Sequence, residues 1–174
     1  MAVREIRIFG DPVLRDKAET LEGVDDEVRA LIRDMFDTMY ESDGVGLAAP
    51  QVGILHRVIV VDPRDPDVEP LALVNPEIVM ASDETETGEE GCLSIPGLRD
   101  VVERPATAVV RGLDVDGNEV VVEADQLLAR VLLHEIDHLD GILFLDRVSP
   151  LKRRLLLKKW QKLQAEEPAA RSAS

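Results

Sequence analysis

The chain has 174 residues, 45% of them hydrophobic, which suffices for one hydrophobic core and not for two domains of ordinary size. Its 35 acidic and 20 basic residues give a net charge of −15, excluding a surface devoted to nucleic acid or anionic lipid, and its single cysteine, Cys92, excludes an intramolecular disulfide. No run reaches the ~18 to 20 apolar residues of a spanning helix, and the start lacks a signal-like apolar stretch. The expectation is a single domain over residues 1–167, in the cytoplasm and without membrane contact.

From Asp25 to Ser42 the apolar residues Val28, Leu31, Ile32, Met35, Phe36 and Met39 recur every three or four positions, predicting an amphipathic helix. Asp25 or Asp26 can cap its start and Gly44 its end. The stretch Gly44-Val45-Gly46-Leu47-Ala48-Ala49-Pro50-Gln51-Val52-Gly53 loosely matches a nucleotide-binding pattern. Such a fingerprint follows a strand and opens a helix, whereas this one follows a helix, runs into Pro50 and has no phosphate-binding lysine. It reads instead as a loop whose backbone approaches an extended ligand, with Gln51 offering its amide N–H to a developing oxyanion; the plain alternative is a turn.

Short β-branched runs follow at Arg57–Val61, Leu71–Val74, Ile78–Met80, Val101–Glu103, Ala108–Asp114 and Glu119–Glu123. Pro63, Pro66 and Pro70 mark a polar loop, and Asp116-Gly117 signals a two-residue hairpin. A second helix is predicted from Ala124 or Asp125 through Leu127, Leu128, Val131, Leu132 and Ile136 to Gly141. A third starts at the Ser149-Pro150 cap and runs to about Ala165, with a disordered tail at 168–174. Helices flanking a block of strands predict an α+β fold, with mostly antiparallel strands around a central metal-binding helix and a helix toward each end.

The central helix carries His134-Glu135-Ile136-Asp137-His138. Positions four apart share a helix face, so both imidazoles can meet one ion, and Glu135 sits one residue round as a carboxylate that exchanges a proton with water. A catalytic site of this kind takes three protein ligands and leaves a position open. A metzincin-type peptidase would place its third histidine where Phe144 stands, and Glu166 or Glu167, past a lysine-rich helix, are poorly placed. Upstream the choices are His56, Cys92 or a carboxylate. Cys92 is preferred, because Gly91 and Pro96 frame a tight segment that can present a thiolate and an exposed backbone N–H.

Gly44 to Gln51, Glu90 to Ser94 and His134 to His138 resemble, in this order, the three signature motifs of the peptide deformylases. The resemblance extends over nearly the whole chain and implies a single catalytic domain that removes the formyl group from N-terminal formylmethionine of new polypeptides and releases formate. It implies one divalent metal ion on Cys92, His134 and His138, with Fe2+ expected and Zn2+, Ni2+ or Co2+ also suited to the ligands. Metal-bound hydroxide would attack the formyl carbon, Gln51 and the Leu93 N–H would hold the oxyanion, and Glu135 would move the proton to the departing amine. The peptide would run along Val45, Gly46 and the Gly91 region with Arg99 nearby, and Val45, Leu127, Val131 and the His134 ring would line the methionine pocket. This sequence departs from many members in having Leu133 in place of glutamine, and Gly88 and Arg130 in place of aliphatic residues.

The third helix reverses the charge of the rest, carrying Lys152, Arg153, Arg154, Lys158, Lys159 and Lys162 without an acid before Glu166. One reading is a solvated helix docked through Leu151, Leu155, Leu156, Trp160 and Leu163. The other is a contact with ribosomal RNA, which basic C-terminal helices make in some deformylases. The family resemblance also implies a monomer.

Overall fold

The computed structural model describes residues 2–166, so the tail expected from Pro168 lies outside the described residues. The first helix, α1, spans Asp26–Glu41, and the Asp25 carboxylate caps it by accepting the Val28 N–H at 2.9 Å. The left-handed residue that ends it is Asp43, at φ 58°, and not the expected Gly44. Gly44 is needed for a different reason: a Cβ there would lie 2.8 Å from the Leu93 side chain.

Strands β1 (Gly46–Ala48), β2 (Val58–Val61) and β3 (Leu71–Ala81) follow, then β4 (Thr85–Gly91), β5 (Arg99–Pro105), β6 (Thr107–Leu113) and β7 (Glu119–Asp125). All strand pairs are antiparallel, in a five-stranded sheet ordered β1-β2-β3-β6-β7 and a separate β4-β5 hairpin. The α+β expectation holds. The two runs read at Leu71–Val74 and Ile78–Met80 are one strand, because the Asn75-Pro76 interruption is absorbed by a register shift between Val74 and Glu77. Asn75 sits at φ 54° and its side chain exchanges hydrogen bonds with both backbone groups of Leu21. The Asp116-Gly117 hairpin also forms, but with a longer connection than two residues. The Gly117 N–H bonds the Asp114 carbonyl, and only Gly117, at φ 83°, is left-handed.

β7 passes straight into α2 (Gln126–Leu139) through Gln126, at φ 50°. The strand β2 is buried throughout and alternates between two cores. Ile59 and Val61 join Leu132, Ile136 and Leu139 of α2, while Val58 and Val60 join Leu31, Met35 and Met39 of α1. The sheet is thus sandwiched at this end between the two helices. A third cluster gathers Ile95, Leu98, Phe144, Leu156 and Trp160, with Cys92 packed against it.

The last helix, α3 (Pro150–Glu166), starts at a Ser149 cap. Leu156 and Trp160 dock it as expected, with Leu163 packed against the same cluster, but Leu151 and Leu155 are 63% and 56% exposed. None of the described helices is long and apolar enough to cross a membrane.

Candidate metal centre

α2 turns His134 and His138 toward the same point, with 3.3 Å between their Nε2 atoms. Cys92 follows directly after β4, and its Sγ lies 3.4 Å from His138 Nε2. Metal–nitrogen bonds of ~2.0 Å and metal–sulfur bonds of ~2.3 Å put tetrahedral donors about 3.3 to 3.6 Å apart, so this triad fits a single divalent cation. Among the described residues it is the cluster that brings three such ligand atoms within 4.8 Å of one another. His56, the other imidazole considered, lies instead at a bridge between Glu19 and the start of β2.

The surroundings favour positive charge. Burial alone would lower the pKa of His134, yet the Cys92 sulfur and the carboxylates of Glu135 and Glu90 push it up to about 10. His138 is held well below the usual imidazole range, first by burial and then by His134. Two imidazoles that cannot both carry a proton, beside a thiol and two carboxylates, form a donor set matched to a metal dication.

Glu135 is 4% exposed, and its Oε1 has no hydrogen-bond partner among the described residues. Burial pushes its pKa up to about 7, against the lowering effect of His134. β1 approaches α2 closely enough for this only because position 46 has no side chain: a Cβ on Gly46 would meet Glu135 Oε2 at 2.6 Å and Val131 at 2.8 Å.

Gln51 sits on the short 3-10 turn Ala49–Val52 and is 2% exposed. Its Oε1 accepts the Ala48 N–H at 2.9 Å, which fixes the amide so that Nε2 donates to Ser94 Oγ at 3.1 Å and faces Cys92 Sγ at 3.5 Å. The Ser94 contact was not foreseen from the sequence. The Leu93 N–H has no acceptor among the described residues.

Glu90 is the main residue that sequence reasoning missed. It is 5% exposed, accepts from Arg104 and Arg130, and its Oε1 lies 2.9 Å from His134 Nδ1. That contact leaves Nε2 of His134 as the ring nitrogen available to a metal ion. Burial would raise the Glu90 pKa, but His134 and Arg104 bring it down to about 2. Arg104 also reaches Asp137, which Arg147 grips from the other side. The ionic network therefore ties the β4-β5 hairpin, bearing Cys92, to the helix bearing both histidines. The available signal was Asp137 within the histidine motif and Glu90 two residues before Cys92.

These groups open on a cleft of about 570 Å³. It is lined by every expected substrate residue: Val45, Gly46, Gly91, Arg99, Leu127 and Val131. Val45 and Leu127 stand at its exposed rim, at 37% and 46%, while Val131 is buried. Arg99 is paired with Glu89 at the surface. Phe144 stacks on the His134 ring at 6.3 Å, so the residue standing where a metzincin would keep a ligand is packing.

Ligands for one cation and a dry carboxylate beside them are what hydrolysis of an unactivated bond requires. Fold and site together point to a hydrolase whose Cys92, His134 and His138 could hold one metal ion. Comparison with known proteins narrows the class. Residues 3–154 match the polypeptide deformylase family. The chain is 50% identical over 163 residues to the peptide deformylase of Thermodesulfovibrio yellowstonii, covering 92% of this chain and 98% of that one. It superimposes on a peptide deformylase from Legionella pneumophila with a TM-score of 0.89 at 43% identity, covering 97% and 99% of the two chains. The Ehrlichia chaffeensis enzyme in complex with actinonin gives 0.87 at 40% identity, covering 96% and 99%. The chain belongs to the polypeptide deformylase family.

Proposed function

We propose that this chain removes the formyl group from the N-terminal formylmethionine of newly made polypeptides in the cytoplasm, with residues 1–167 acting as one catalytic unit. The observation that carries the reading is the cluster of Cys92, His134 and His138 donors within 4.8 Å of one another, where Cys92 and His134 line the same cleft as Glu135, whose Oε1 has no hydrogen-bond partner among the described residues. Cys92, His134 and His138 would hold a divalent cation, proposed to be Fe2+, which when bound would supply the Lewis acidity that lets water act as a nucleophile near neutral pH. Glu135 takes the proton of that water and delivers it to the amine leaving the formyl carbon. The Leu93 N–H and Gln51 Nε2 donate to the oxygen as it gains charge.

The substrate enters as an extended N-terminus. β1 is an edge strand and β4 pairs only with β5, so each offers a free backbone edge beside the cleft, at Val45-Gly46 and at Gly91. The first side chain then falls between Val45, Leu127, Val131 and His134. The test is formate release from a formyl-methionyl peptide by anaerobically purified, ferrous-loaded protein. Fully metallated protein that released none would overturn the assignment. Glu135→Gln should keep the metal and lose roughly 10²- to 10⁴-fold in kcat, whereas Cys92→Ala should lose the metal itself.

We also propose that the protein works as a monomer and presents α3 to the ribosome. Lys152 and Arg153 face Asp100 and Asp146 of the body, but Arg154, Lys158 and Lys159 are exposed and have no ion-pair partner among the described residues. Reversing these three charges should abolish salt-sensitive co-sedimentation with ribosomes. Unchanged association would refute the contact.

A further inference from the structure

The inner wall of the cleft is built from one face of α2, and Leu127, Arg130, Val131 and His134 follow each other along it at helical spacing. Across from it stands β4, whose inward positions are Gly88 and Glu90. An arginine in this stripe is anomalous, because a pocket for an apolar first side chain would be walled by aliphatic groups. Gly88 explains how it fits. A Cβ on residue 88 would lie 2.8 Å from Arg130 Nε and 2.9 Å from Cζ, so the guanidinium occupies the space that a side chain at 88 would fill.

The guanidinium is fixed there by specific partners. Nη1 donates to Glu90 Oε2 at 2.7 Å and to the Val102 carbonyl at 2.9 Å, and Nη2 donates to the Glu86 carbonyl at 2.9 Å. The side chain is only 13% exposed. Arg130 Nε, and the second hydrogen on Nη2, have no acceptor among the described residues. A cationic group with idle donors therefore lies in the wall of the cleft.

We infer that Arg130, seated over Gly88, is a specificity-determining residue that lets the first side-chain pocket accept side chains ending in a hydrogen-bond acceptor, such as methionine sulfoxide, as well as methionine. The inference rests on the deformylase reading. Its chemistry is that of a mostly buried guanidinium whose remaining donors are solvated in the cleft: an acceptor-bearing ligand replaces that solvent with a hydrogen bond, and an apolar isostere displaces it without replacement. Methionine sulfoxide presents a strong oxygen acceptor, methionine a weak sulfur acceptor, and norleucine none, at nearly constant length.

The experiment compares kcat/KM for formyl-Met, formyl-methionine-sulfoxide and formyl-norleucine tripeptides with the intact, metal-loaded protein and with Arg130→Leu. The wild type should prefer the sulfoxide over norleucine, and Arg130→Leu should reverse that ratio by at least about tenfold. Because Arg130 also touches Glu90 and through it His134, an effect transmitted to the metal would scale all three substrates together and leave the ratio unmoved. An unmoved ratio overturns the inference. Absence of formyl-Met turnover in the wild type would instead overturn the reaction assignment. Gly88→Ala is the second variant, in case Arg130→Leu fails to fold. Its methyl group displaces the guanidinium, so the same ratio should fall while metal content stays constant, and a constant ratio again counts against Arg130.

Discussion

Glu135 is buried with one oxygen free of partners among the described residues, and Gly46 leaves the space for the other. A methyl group at 46 overlaps both Glu135 and Val131, one the proposed proton carrier and the other part of the proposed pocket wall. Gly46→Ala should therefore cost about 1 to 3 kcal/mol in chemical denaturation and lower kcat at least tenfold, on the order expected for a displaced proton carrier. A second residue far from the chemistry carries a pH signature. Asp146 accepts from the Leu143 N–H and from Arg15, and although burial alone would raise its pKa, these partners hold it below the ordinary 3.8. The folded carboxyl thus binds its proton less readily than the unfolded one. Its contribution is complete above the ordinary value and disappears as pH falls through the depressed one. Asp146→Asn should lose roughly 1 kcal/mol at neutral pH, with the gap to wild type closing in urea titrations as the pH is taken down past the ordinary carboxylate value of 3.8.

Elements whose own composition declares their packing were legible. The stripe on α1, the apolar run of β2 and the histidine-bearing α2 each carry a period that matches one buried face. The strand β4 was not legible, since Thr85-Glu86-Thr87-Gly88-Glu89-Glu90-Gly91 contains no apolar residue. It is a strand because β5 pairs with it and because Arg104 and Arg130 draw Glu90 inward, relations between distant residues that no local window contains. The short β1 was hidden in a glycine-rich stretch for the same reason. At the site, the histidine pair and Glu135 could be read from spacing and Cys92 only from its Gly91 and Pro96 frame, whereas the Glu90 contact to His134 and the Ser94 contact to Gln51 needed the fold. α3 was half legible: its cap and length agreed, but only Leu156 and Trp160 are buried. Trp160→Ala should cost about 3 to 5 kcal/mol, because the ring packs on Phe9 and closes the cluster that also backs Cys92. Differential scanning of that variant should show the loss, and an unchanged transition would mean that α3 docks without this anchor.

At the scale of the whole molecule, the acidic surface and the basic last helix give the chain a charge separation that salt will screen. Metal removal tests the assembly as a unit. A cation that binds only the folded arrangement stabilises it by RT ln(1 + [L]/Kd), so chelation should lower the melting temperature, and reloading should restore it. No change on chelation in a protein shown to have lost its metal would mean that the donor triad is rigid without it.

The histidines sit on a helix packed against the main sheet, whereas Cys92 packs against the cluster closed by α3. Their pairing joins positions separated by 46 residues. A bound ion is therefore a cross-link between two parts of the core that must each be built before the link can close. It should be absent from the folding transition state. Loading the metal should leave the refolding rate almost unchanged and slow unfolding by nearly the whole stability gain, so that the ion acts as a latch on a finished structure and takes no part in nucleating it.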